Sequence, residues 1–296
     1  MHRLLVFALV GLVAQLVDGA LGMAYGVTSS SLLLLYGLTP AAASASVHLA
    51  ETITTALSGL AHWRLGNWHK PTLRGLVLPG AVGAFLGAVL LSSLPAARVR
   101  PLVAGFLLIL GVYILVRFAL ASTPRRPRPP RIRLRYVVPL GFVAGLLDAT
   151  GGGGWGPIAT PALMVRGTLP PHQVVGSVSI AEFAVALSAT LGFALSLGWE
   201  AVAWAQVAAL VAGGAVAAPL AAWMARKLPA QVLGVLVGTA VLLVNLRTLF
   251  GAAGVTGLAR AAGYVVVAAV CGGLLVQVAV RSRRTAVSQV QHPATD

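Results

Sequence analysis

Acidic residues are nearly absent: the chain holds six Asp and Glu among 296 residues, against 21 Lys and Arg. Only 9% of the residues are charged, which sets the chain apart from soluble domains of its size. It has one cysteine, Cys271, so an internal disulfide and a Cys-x-x-Cys redox or zinc motif are both excluded. No pair of His, Cys or acidic residues falls at metal-ligand spacing along the chain, and no cofactor motif is present. An intramembrane enzyme needs a nucleophile with a base, or a metal set, and the sequence shows neither. The formal charge of +15 suggests nucleic acid until the basic residues are placed. Most lie in connecting segments and the tail without interleaved aromatics, which fits a positive-inside bias and no nucleic-acid partner.

What the chain does have is apolar length: 58% hydrophobic residues and a mean hydropathy of +0.91. This predicts an all-α polytopic membrane protein whose partner is the lipid bilayer. The sequence is also duplicated. Gly11-Leu-Val-Ala-Gln-Leu-Val-Asp18 matches Gly141-Phe-Val-Ala-Gly-Leu-Leu-Asp148, and the match continues through Tyr25/Trp155, Gly26/Gly156, Leu33/Leu163, Ser46/Ser177 and Glu51/Glu182. Gly80-Ala-Val and Gly214-Ala-Val extend it. His2-Arg3 and the apolar run behind them look like a signal peptide, but the recurrence of residues 4–18 in mid-chain favours a part of the fold.

Five parts follow: a first transmembrane repeat (1–121), a Pro/Arg linker expected in the cytoplasm (122–135), a second repeat (136–250), an extra transmembrane helix (251–280) and a basic tail (281–296) expected to be disordered. In each repeat an Asp and a glycine-rich stretch interrupt the first apolar run. The stretch Asp148-Ala-Thr-Gly151-Gly152-Gly153-Gly154-Trp155-Gly156-Pro157 places five glycines where a continuous helix is unfavourable. Such a segment is either a broken crossing or a re-entrant hairpin. With the linker inside, full crossings divide the 21 basic residues 13 inside to 8 outside, and hairpins divide them 16 to 5. The hairpin division fits the positive-inside rule better, and it makes the two repeats an inverted pair.

Four of the six acids are repeat-related and lie in apolar segments: Asp18 with Asp148, and Glu51 with Glu182. A carboxylate there costs ~2.5–3.5 kcal/mol on insertion scales, so it needs a partner or a function. Asp18 and Asp148 read as caps of the glycine breaks, or as members of the transport path. Glu51 and Glu182 read as proton carriers or as interhelical hydrogen-bond partners. His48, replaced by Ser179 in the second copy, reads as a polar helix contact with a relay role as the alternative. A helix led by Pro157 would turn its free N–H groups toward the break, an anion site in outline.

The Asp-x-x-x-Gly-rich segment, the Pro and small residues that start the next helix with its Ser, and the duplication of both resemble the sulfite exporter TauE/SafE family of membrane permeases. The resemblance covers residues 5 to about 250. It implies a multi-pass permease of the bacterial inner membrane, driven by an ion gradient. Its substrate would be a small, often sulfur-containing anion such as sulfite, a sulfonate or sulfoacetate. The candidate binding residues are Gly153, Gly154, Trp155, Gly156 and Ser177, with Gly22, Tyr25, Gly26 and Ser46 in the first copy. The second copy is the expected anion contact, because the first departs from the glycine pattern at Leu21 to Tyr25. An anion channel is the alternative function.

Overall fold

A computed structural model of the chain describes residues 2–119, 133–164, 169–224 and 230–291. Among the described residues there are eleven α-helices, one 3-10 turn and no strand. The first repeat supplies α1 (His2–Leu21), α2 (Tyr25–Leu35), α3 (Pro40–Arg64), α4 (Lys70–Ser93) and α5 (Ala96–Ala119). The second supplies α6 (Leu134–Gly151), α7 (Trp155–Met164), α8 (Pro171–Leu197), α9 (Trp204–Met224) and α10 (Ala230–Ala252), and α11 (Gly257–Gln291) follows. Nearly all of the 122–135 linker falls outside the described residues. The tail departs from its expected disorder, since α11 continues to Gln291. Neither Gly nor Pro interrupts the chain between Gly273 and Pro293, so nothing local stops the helix at Arg281.

Among the described residues, five segments are long and apolar enough to cross a membrane: His2–Gly19, Lys70–Ser93, Ala96–Arg117, His172–Leu197 and Gly257–Val278. The helix starts are set locally. The Thr39 hydroxyl accepts from the Ala42 N–H at 3.3 Å and Pro40 opens α3, while Pro171 opens α8.

Both expected breaks are present, with the same turn in each. Gly22 and Gly152 take φ of 68° and 71°, and their N–H groups donate to the Asp18 and Asp148 carbonyls at 2.6 and 2.8 Å. The chain then doubles back. Tyr36, just past α2, packs on Phe7 of α1 with ring centres 5.0 Å apart, and the Arg3 guanidinium lies 5.9 Å from the same ring.

Packing follows the duplication. α4 lies along α6 and α9 along α1, a pair of contacts that interchange when the copies are swapped; α3 with α8 and α5 with α10 map onto themselves. These contacts are backbone-close: a Cβ on Gly83 would lie 2.1 Å from the Phe142 carbonyl oxygen, and one on Gly213 would lie 1.9 Å from that of Ala8. Helix α5 ties together the ends of the two short helices. Arg100 donates to the Leu34 carbonyl of α2 at 2.7 Å, and Arg117 donates to the Met164 sulfur of α7 at 3.0 Å. At ~1.5 Å rise per residue these two arginines stand about 26 Å apart, so α2 and α7 end at opposite ends of α5.

Candidate functional site

The two breaks meet in the middle of the bundle. A Cβ on Gly153 would lie 2.3 Å from the Val27 nitrogen, and one on Gly156 would lie 2.5 Å from the Gly22 carbonyl oxygen. Hydroxyls clamp the breaks reciprocally. Ser30 of α2 donates to the Gly152 carbonyl, and Thr160 of α7 donates to the Gly22 carbonyl at 2.7 Å. The two donors, Ser30 and Thr160, are repeat mates, and so are the two acceptors, Gly22 and Gly152, so the same clamp is built twice. A third hydroxyl, Ser44 of α3, donates to the Ala149 carbonyl at 2.7 Å.

Asp148 is a cap. Its Oδ1 accepts from the N–H groups of Gly154 at 2.7 Å and Trp155 at 3.0 Å, at the positive end of α7. The N–H groups of Gly152 and Gly153 are taken by the Asp148 carbonyl at 2.8 and 3.1 Å. Of the expected anion cradle of Gly153, Gly154 and Gly156 N–H groups, the first two are therefore already engaged, as is the N–H of Trp155. A carboxylate six residues upstream completes the donors that an empty helix start would leave free. Asp18 turns in the same way to the Tyr25 N–H.

The other oxygen of Asp148 meets His48. Nε2 of His48 lies 3.1 Å from Asp148 Oδ2, and Nδ1 lies 2.8 Å from the Ser44 carbonyl, which can only accept. Nδ1 therefore carries a proton, and Nε2 faces the carboxylate. His48 is 0% exposed.

On the Asp148 side of this pair lies a small cavity lined by all four intramembrane acids, Asp18, Glu51, Asp148 and Glu182, with Gly26, Gly154, Trp155 and Gly156. The space open to the centre of a water molecule is ≈ 10 Å³, about enough for one water. Among the described residues, Asp18 Oδ2 and Glu182 Oε2 have no hydrogen-bond partner, nor do the Gln15 amide and the Thr28 and Ser29 hydroxyls. These open groups are mostly from the first copy. In the second copy the N–H groups of Gly152, Gly153, Gly154 and Trp155 are occupied by Asp148. His48, Glu51 and Asp148 also each offer a metal-ligating atom, all within 4.8 Å of one another. Spacing along the chain gave no such set, since His48 and Asp148 are 100 residues apart and only the packing of α3 on α6 joins them.

The two predicted serines lie elsewhere. The Ser177 hydroxyl accepts from the His69 N–H at 2.9 Å and the Ser46 hydroxyl from the Ala203 N–H at 2.9 Å. They are mates that pin the turns before α4 and α9, outside the cavity. Trp155 is buried and donates from Nε1 to the Val178 carbonyl at 3.1 Å, while the Tyr25 hydroxyl sits beside Thr54. His48 is the main member that reading the sequence underweighted. Its signal was the mismatch itself, an imidazole three residues before a buried Glu where the second copy has Ser179.

Residues 7–248 match the family described as Sulfite exporter TauE/SafE. Over 250 residues the chain is 55% identical to a Bacillus subtilis (strain 168) protein named "Probable membrane transporter protein YtnM", covering 84% of this chain and 83% of that one. Over 194 residues it is 31% identical to "Probable membrane transporter protein YdhB" of the same organism, covering 64% and 77%. No solved structure matches the chain.

Proposed function

This chain belongs to the sulfite exporter TauE/SafE family of membrane transporters, and from that premise we propose that it is a proton-coupled secondary transporter of a small sulfur-containing oxyanion. Sulfite, a sulfonate or sulfoacetate has the required size and charge, and the bacterial plasma membrane is the setting. The observation that carries the reading is the convergence of four buried carboxylates on the cavity where α2 and α7 begin, one of them, Asp148, backed by the His48 imidazole.

Four ionised carboxylates in one small buried cavity would repel each other and any oxyanion. Protonated, they become hydrogen-bond donors to the same anion. The cavity therefore favours anion entry when it carries protons and release when it loses them, which couples the two movements. Gln15, Thr28 and Ser29 hold uncommitted polar groups, and the glycines Gly26 and Gly156 bring the breaks close enough together to enclose an anion once they part. A space for about one water is too small for sulfite, so this conformation is an occluded one and loading requires the breaks to part. That favours alternating access over a standing pore.

An inverted pair of repeats fits the same reading. The short helices begin together at the centre and end at opposite ends of α5, as two hairpins entering from opposite sides would. The test is flux of sulfite, sulfonates and carboxylates into proteoliposomes, with and without a pH gradient. Glu51→Gln, Glu182→Gln protein should fold and transport with a flattened pH dependence. Flux by that variant with the wild-type pH dependence refutes the proton role.

A further inference from the structure

Three arginines that the transport reading leaves unused converge at one end of the bundle. Arg100 near the start of α5, Arg247 toward the end of α10 and Arg260 in the first turn of α11 line a cleft of ≈ 730 Å³ beside the end of α2. No carboxylate is among the described residues that line it, and Thr248 adds a hydroxyl. Arg100 is held by its bond to the Leu34 carbonyl and keeps further N–H donors on the same guanidinium. The Arg260 guanidinium lies 5.9 Å from the Tyr264 ring centre, a contact that orients its plane. Arg247 is exposed.

Guanidinium groups remain charged at any physiological pH, and three of them around one cleft repel one another unless an anion lies between. Their forked, planar donors match pairs of oxygens on phosphorus or sulfur. We infer that this cleft binds the oxygens of a phosphate- or sulfate-type group, carried by a free oxyanion or by an anionic lipid headgroup. The site stands apart from the central cavity, since none of its lining residues is shared, so it can fail without affecting proton coupling.

The full chain is placed in phosphatidylcholine nanodiscs and compared with an Arg247→Gln, Arg260→Gln variant in two arms. In the first, sodium sulfate is titrated calorimetrically against a sodium chloride control of equal ionic strength, because screening alone would mimic part of the effect. In the second, part of the phosphatidylcholine is replaced by phosphatidylglycerol and the rise in unfolding temperature is read. Losing two charge-assisted contacts should weaken binding at least ~10-fold. A loss in the sulfate arm alone assigns a free oxyanion, a loss in the lipid arm alone assigns a headgroup, and losses in both support both sources. An Arg247→Lys, Arg260→Lys protein keeps the charge and should recover part of the response, which a misfolded protein would not. Wild type that responds in neither arm, or a Gln variant that matches wild type in both, overturns the inference.

Discussion

Removing the Asp148 carboxylate should cost far more than neutralising it. Asp148 accepts two backbone N–H bonds through Oδ1 and meets His48 through Oδ2. In Asp148→Ala both N–H groups lose a charged acceptor at ~1.5–3 kcal/mol each, and a buried imidazole nitrogen is orphaned at ~1–3 kcal/mol more, about 4–9 kcal/mol in all. Asp148→Asn keeps a carbonyl oxygen for the same two N–H groups. Its NH₂ faces His48 Nε2, which can accept because Nδ1 carries the proton given to the Ser44 carbonyl. The Asn variant therefore exchanges charged bonds for neutral ones, a loss of about 1–3 kcal/mol. The assay is thermal unfolding of the purified protein in one detergent. At roughly 2–4 °C per kcal/mol the Ala variant should fall by about 10 °C or more and the Asn variant by only several degrees. Equal losses in the two variants would show that the cap and the His48 contact do not hold α7, and the account of this site would be wrong.

Gly153→Ala should be poorly tolerated, because its φ of 146° and a Cβ 2.3 Å from the Val27 nitrogen leave no place for a side chain, whereas Gly154→Ala meets nothing closer than Phe106 at 3.2 Å. Comparable expression and stability of the two variants would contradict the close approach of the breaks. Ser46→Ala and Ser177→Ala should each lower stability by ~1 kcal/mol through the lost turn contact, with anion affinity unchanged by calorimetry. Weakened affinity at normal stability would return these serines to the binding site. Ala24 sits at φ 119°, a strain of ~1–3 kcal/mol for a residue with a Cβ. Ala24→Gly should raise the unfolding temperature, and a fall would show that no strain is stored there.

The fold was largely legible because its punctuation is local. Glycine runs cannot continue a helix, Pro40 and Pro171 open helices, and the duplication fixes one copy's elements by the other's. The helix order and both breaks follow from that alone. The site was legible only in outline. The acids were visible as costly residues, yet which N–H groups remained free depended on where the Asp148 side chain turned, and an engaged amide reads the same as an open one in a string of glycines. Ser46 and Ser177 were persuasive because they are mates near the breaks. Their partners, the N–H groups of Ala203 and His69, lie more than a hundred residues away in chain order and are set by helix packing.

The duplication also shows where the halves cease to be equivalent, and that difference bears on movement. Ser30 and Thr160 clamp their opposite breaks alike, but His48 has no counterpart, because Ser179 instead bonds the Ser58 hydroxyl at 3.1 Å. The cavity holds two pairs of matched carboxylates, and the imidazole stands behind one of them, Asp148. Asp148 is thus held on both oxygens, while Asp18 keeps Oδ2 without a partner among the described residues. The start of α2 also carries the strained Ala24 where its mate is Gly154. An alternating-access cycle needs one break to yield before the other, and two identical breaks would yield with equal ease. The cap with fewer bonds and the backbone with more strain both belong to the first copy, so on the proposed alternating-access reading the α1–α2 break is the one expected to yield first.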